Sequence, residues 1–102
     1  MSDFESFSDL DRLIHEPGRL AIAAVLNAVD QADFLFLLKQ TGLTRGNLSS
    51  HTAKLETAGY LDIEKTFVEK VPRTVYRLTP AGREALNRYR RHMGQVLEAL
   101  DD

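Results

Sequence analysis

The chain has 102 residues, 43% of them apolar, with six glycines, three prolines and no cysteine. That is enough to bury one core but not a deep substrate cavity beside it, and it excludes a disulfide framework, a thiolate metal site and a cysteine nucleophile. The formal net charge of −2 conceals a dipole, because residues 1–38 carry seven acids and two bases, residues 39–92 eleven bases and five acids, and the last ten residues three acids and no base.

Phe4 and Phe7 stand among acids near the start, and Ser8 or Asp9 is placed to cap a short helix carrying Leu10, Leu13 and Ile14. His15-Glu16-Pro17-Gly18 interrupts it, and Pro17 suits the first position of a helix over about 17–29. In that helix Ile22, Val25, Leu26 and Val29 fall at i, i+3, i+4 and i+7, and Leu20 with several alanines makes the rest apolar too, so it is central to the core. Asp30 or Asp33 caps the next helix, which runs to about Gln40 with Phe34, Leu37 and Leu38 inward. Leu35 and Phe36 exceed what one stripe requires and point toward the N-terminal segment or a partner chain.

Gly42 supplies a left-handed stop, and Thr44 offers the short hydroxyl that caps a new helix ending at Gly59. Leu48, Thr52 and Leu55 form its buried face, with His51 and Ala58 at one edge. The opposite face collects Gly46, Ser49, Ser50, Ala53 and Thr57, flanked by Asn47 and Lys54. Side chains this small let a helix approach another surface closely, as a DNA-recognition helix must.

After Gly59 the period changes to two, with Leu61, Ile63 and Lys65 alternating against Asp62, Glu64 and Thr66. Thr74–Leu78 is the return strand, and the connection Phe67–Arg73 carries Lys70 and Arg73 around Pro72, positive apart from Glu69. Thr79-Pro80 starts a last helix over about 80–100, where Leu86, Tyr89, Met93, Val96 and Leu100 step by three and four with Leu97 beside them. The earlier helices already fill one core, so these seam residues cannot all find cover within the chain, and the exposed seam is expected to make a homodimer.

Three helices, a tight turn, a fourth helix, a basic hairpin and a long helix make the fold class mainly α with a small β-hairpin. The architecture is a winged helix-turn-helix with an extra C-terminal dimerisation helix, one domain over residues 1–102. The segments GLTRGNLSSHTAKLETAGYL and TVYRLTPAGREAL also resemble small winged-helix transcriptional regulators of the MarR and ArsR kind, a likeness that spans about Leu10 to Tyr89. A homodimer built on the seam has two-fold symmetry, so the expected target is an inverted-repeat operator in double-stranded DNA. The resemblance puts the recognition-helix readers at Arg45, Gly46, Asn47, Ser49, Ser50 and Lys54, with His51 at the edge, and the phosphate or minor-groove contacts of the wing at Lys70 and Arg73; Thr44 at the helix start and Ala53 in the middle of the same face complete the expected DNA-binding set.

The rival reading is a winged helix used as a protein-interaction adaptor; the basic balance of residues 39–92 and the lack of a large apolar patch on the candidate helix argue against it. A small-molecule effector adds to DNA binding and has room between the N-terminal helices and the dimer seam. His15, His51 and His92 lie far apart and make a poor metal set without cysteine, so neither a metal nor another cofactor is expected. Asp62 and Glu64 alternate as solvated strand charges, and neither a phosphate loop nor a nucleophile motif occurs, so the chain does not read as an enzyme. No apolar run reaches the roughly 20 residues of a membrane span and the acidic N-terminus is unlike a basic leader, which predicts a cytoplasmic protein.

Overall fold

The computed structural model describes residues 5–101, so Phe4 lies outside the described residues. In chain order the elements are α1 (Glu5–Ser8), α2 (Pro17–Ala28), β1 (Ala32–Asp33), α3 (Phe34–Thr41), α4 (Arg45–Thr57), β2 (Leu61–Val68), β3 (Val71–Leu78) and α5 (Pro80–Ala99). The fold is mostly helical with a small antiparallel sheet of order β1-β3-β2, the winged helix that the element order predicts.

The helix expected over Leu10, Leu13 and Ile14 is not there. α1 ends at Ser8, and a turn follows in which Asp11 Oδ1 accepts from the N–H groups of Leu13 and Ile14 at 2.9 and 3.1 Å. A carboxylate that satisfies the backbone locally competes with helix formation, and here its second oxygen accepts from Tyr60 Oη at 2.8 Å, which fixes the turn to the body. Ile14 is thereby driven into the core.

α2 begins at Pro17 as expected, and Glu16 is its cap, accepting from the N–H of Arg19 at 2.8 Å. Ile22 and Leu26 are buried among Leu37, Leu48, Leu55 and Leu61, so α2 is the central element around which the recognition unit packs. Of the two aspartates placed to cap α3, Asp33 does so, its carboxylate accepting from the N–H of Phe36. Leu37 is fully buried, Phe34 and Leu38 half so, and Leu35 and Phe36 remain exposed. β1 has no signature in the sequence because two residues are too few to alternate; it pairs with Val75 and Tyr76 of β3.

The hairpin is longer and its turn tighter than the sequence suggests. In place of a connection from Phe67 to Arg73, the strands run to Val68 and from Val71, and the turn is Glu69-Lys70 alone, both at positive φ (51° and 68°). That is the type I′ combination, which usually advertises itself with Asn-Gly, so nothing in Glu-Lys announced it. Pro72 is tolerated within β3 because it lies opposite Phe67, one pair beyond the hydrogen-bonded pair that closes the turn, and its missing N–H faces an edge that β1 does not reach.

α5 has the expected cap, Thr79 accepting from the N–H of Gly82 with Pro80 at the first position. The chain covers more of its seam than expected, though not all of it. Leu86, Tyr89 and Val96 are buried within the chain and Met93 is half-buried, whereas Leu97 and Leu100 are 57% and 67% exposed. The reason is the N-terminal segment: α1 and α2 both pack against α5, and His15 Nδ1 shares a 2.7 Å hydrogen bond with the Tyr89 hydroxyl.

Candidate nucleic-acid interface

α4 is fixed at both ends by its own sequence. Thr44 accepts from the N–H of Asn47 at 3.1 Å, Gly42 closes the preceding helix at φ 71°, and Gly59 at φ 81° lets the chain turn back so that the N–H of Tyr60 reaches the carbonyl of Leu55. Leu48, Thr52 and Leu55 are buried, and the Thr52 hydroxyl is satisfied by donating to the carbonyl of Leu48 at 2.9 Å. The other side of the helix presents Arg45, Gly46, Asn47, Ser49, Ser50, Ala53 and Lys54, all exposed. The Arg45 guanidinium stands 5.7 Å from the centroid of the Phe34 ring, an attraction that restricts its swing without consuming its hydrogen-bond donors.

His51 is not on that outward face. It is half-buried between α4 and the start of α2, where Arg19 Nη1 donates to its Nδ1 at 3.2 Å and Glu16 Oε1 lies 3.6 Å from its Nε2. The ring lies so close to Gly18 that a Cβ there would sit 2.8 Å from two of its atoms. Glu16, Gly18 and Arg19 therefore set the angle of α4 on α2 and were missed by sequence reasoning; a glycine inside the first turn of a helix was the one available hint.

Hydrogen bonding from the N–H of Arg19 holds the Glu16 carboxyl below its ordinary value of 4.5, opposed by desolvation and aided by the nearby His51 and Arg19. A carboxyl depressed in the folded state stabilises the fold above the unfolded value and loses that contribution as pH falls through the folded one. Glu16→Gln keeps an acceptor oxygen for the Arg19 N–H but removes the charge at the helix N-terminus, and is expected to cost about 0.5 kcal/mol at neutral pH, with the deficit fading as pH drops below 4.5. Urea unfolding of both proteins across that range checks it; a deficit constant with pH would mean that the Glu16 charge is not involved.

The hairpin rises beside α4. Ser49, Ala53 and Glu56 of the helix and Ile63, Lys65 and Thr74 of the strands line an open groove of about 690 Å³ between them. Lys70 is exposed at the hairpin apex. Arg73 is not equally free: its Nε lies 3.6 Å from Asp33 Oδ2, the carboxylate that also caps α3. The apex is flanked by exposed Phe67, Val68 and Val71, which no charge-based reading of the wing anticipated.

A helix locked at both ends, with a small polar face turned outward and a hairpin beside it, is the recognition unit of a winged helix. The chain belongs to the family of winged helix DNA-binding domains, whose family model matches residues 19–97. It is 32% identical over 78 residues to an uncharacterized protein of Methanocaldococcus jannaschii, covering 76% of this chain and 85% of that one. Among solved structures, a transcriptional regulator homologue from Pyrococcus horikoshii OT3 superposes with a TM-score of 0.88 at 31% identity, over 96% of this chain and 99% of that chain. A MarR-family transcriptional regulator from Silicibacter pomeroyi shares the fold, with a TM-score of 0.64 at 21% identity over 97% of this chain and 62% of its own. Among the described residues no helix is long and apolar enough to cross a membrane.

Proposed function

We propose that the protein is a sequence-specific regulator of transcription that binds double-stranded DNA as a homodimer, with α4 in the major groove and the hairpin on the backbone or in the minor groove. The observation that carries this reading is the outward face of α4. Arg45 and Asn47 have the side chains that read guanine and adenine edges, and Ser49, Ser50 and Ala53 are short enough to let the helix lie deep. Membership of a DNA-binding family supports it.

Support for the dimer comes from α5. Leu97 and Leu100 are exposed, and an open apolar groove of about 410 Å³ between α2 and α5 is lined by Leu20, Ala24, Leu86, Met93, Gly94 and Leu97. A second copy placed there buries what the chain itself leaves open, and an effector would sit where the groove opens between the copies. Two α4 faces related by a two-fold axis read one duplex when they lie roughly 34–36 Å apart, so selection from random duplexes is expected to return an inverted repeat. Met93→Glu with Leu97→Glu is expected to give folded monomers by sedimentation and to lose the preference for paired half-sites. A wild-type monomer at micromolar concentration, or a selected pool without symmetry, would remove the homodimer from this reading.

A second reading is favoured by Leu35 and Phe36, which leave an apolar patch on α3 exposed. In it the domain docks a protein through that side, and the α4 face is a solvated surface.

A further inference from the structure

The hairpin is basic in sequence, yet its tip holds little net charge. Glu69 and Lys70 form the apex together, and Arg73 is drawn back toward Asp33. What the tip exposes is apolar: Phe67, Val71 and Val68 are 70%, 63% and 47% exposed, and Pro72 is exposed beside them. The register orders these side chains. Phe67 faces Pro72 across the hairpin as a non-hydrogen-bonded pair, the arrangement that brings cross-strand side chains closest, and Val68 faces Val71 on the opposite side. The last two rungs of the hairpin are thus apolar on both faces.

We propose that this tip is an apolar wedge for the DNA minor groove, with Phe67 the side chain that enters beside a base step and Pro72 the rigid plate behind it. This rests on the DNA-binding reading of the α4 face. Residues alternate along a strand, so Phe67 and Pro72 lie on the same face of the hairpin as Lys65 and Thr74, two rungs farther out. That face is the wall of the groove opposite Ser49 and Ala53 of α4. A duplex lying against Ser49 and Ala53 therefore runs along the Lys65 and Thr74 wall and meets Phe67 next. Two strands about 4.8 Å apart nearly fill a minor groove roughly 6 Å wide, so a hairpin enters only where the groove opens. Partial unstacking by an inserted apolar side chain opens it, and pyrimidine–purine steps yield most easily. Lys70, at the apex, is left to pair with phosphate.

The test uses the full chain and a duplex selected from random sequence, carrying a fluorescent aminopurine at successive steps on either side of a half-site. Wild-type protein is expected to raise the fluorescence at one flanking step and to bend the duplex in a gel-mobility assay. Phe67→Ala is expected to abolish both signals and to weaken binding about tenfold with the salt dependence unchanged, because apolar contact and not charge is lost. Phe67→Leu should restore part of each. Lys70→Ala is expected to keep the fluorescence signal and to flatten the slope of log affinity against log salt by about one unit per wing. Phe67 is mostly exposed, so the variant folds, and a melting curve taken alongside verifies it. Wild-type binding with no signal at any step, and with Phe67→Ala as tight as wild type, overturns the wedge and leaves the DNA reading standing. A wild-type protein that binds no duplex overturns both. A DNA-free mass that falls on Phe67→Ala substitution shows the tip to be a protein contact and rejects the wedge.

Discussion

Ala53→Glu is expected to abolish duplex binding while leaving the domain folded. Ala53 lies in the middle of the exposed side of α4, one turn on from Ser49, and forms part of the wall facing Lys65 and Thr74 of the hairpin. A longer side chain there holds the helix off the groove floor, and its carboxylate is set against phosphates, so the loss combines distance with repulsion. We expect at least about a hundredfold weakening, roughly 2.7 kcal/mol, read by fluorescence anisotropy on the selected duplex. Ser50→Glu should behave alike. Arg45→Ala is expected to cost less, about 1–3 kcal/mol, and to relax the choice of base at one position per half-site. Because these side chains are exposed, unfolding free energies should stay within about 0.5 kcal/mol of wild type. If Ala53→Glu bound DNA like wild type, the α4 face would not be a reader, and docking through the Leu35 and Phe36 side would become the better account.

Gly82→Ala is expected to cause a large loss of stability. A Cβ at Gly82 would lie 2.1 Å from the carbonyl oxygen of Tyr60 and 2.9 Å from its carbon, so the first turn of α5 rests directly on the backbone that joins α4 to β2. The same junction carries the hydrogen bond from the N–H of Thr79 to the Tyr60 carbonyl at 3.0 Å, and that from the Thr79 hydroxyl to the Gly59 carbonyl at 2.6 Å. A backbone cannot swing aside as a side-chain end does, so α5 must shift and break these bonds. A cost of about 3 kcal/mol or more is expected, outweighing the roughly 1 kcal/mol that alanine gains over glycine within a helix. Gly46 is the control: a Cβ there meets nothing within 4 Å, so Gly46→Ala should be neutral or stabilising by up to about 1 kcal/mol. Denaturant unfolding separates the two, and a Gly82→Ala cost below about 1 kcal/mol would mean that α5 has slack against the α4–β2 turn. The contact bears on function as well, because it fixes where the hairpin leaves the body relative to α4.

The sequence by itself determined the helices of the recognition unit and the surface it presents. Thr44 and Thr79 cap helices where their spacing says they should, Asp33 is one of the two aspartates so placed, Gly42 and Gly59 take the left-handed conformation, and Leu48, Thr52 and Leu55 turn inward, which leaves the small polar residues of α4 outside. These are effects of backbone hydrogen bonds and periodicities that span a few residues, so a local reading captures them. Only the tertiary structure decided the pairings made at long range. Asp11 serves a turn and Tyr60 instead of a helix, β1 exists because β3 passes beside it, and the α5 seam is largely covered because the N-terminal segment folds across it. The same holds for the partners of charged residues: His51 is taken by Arg19 and Glu16, and Arg73 by Asp33, 32, 35 and 40 positions away in the chain. Spacing specifies which way a side chain points along its own element, whereas which of several distant groups it meets depends on how the elements pack, and that is settled only when one core has been filled.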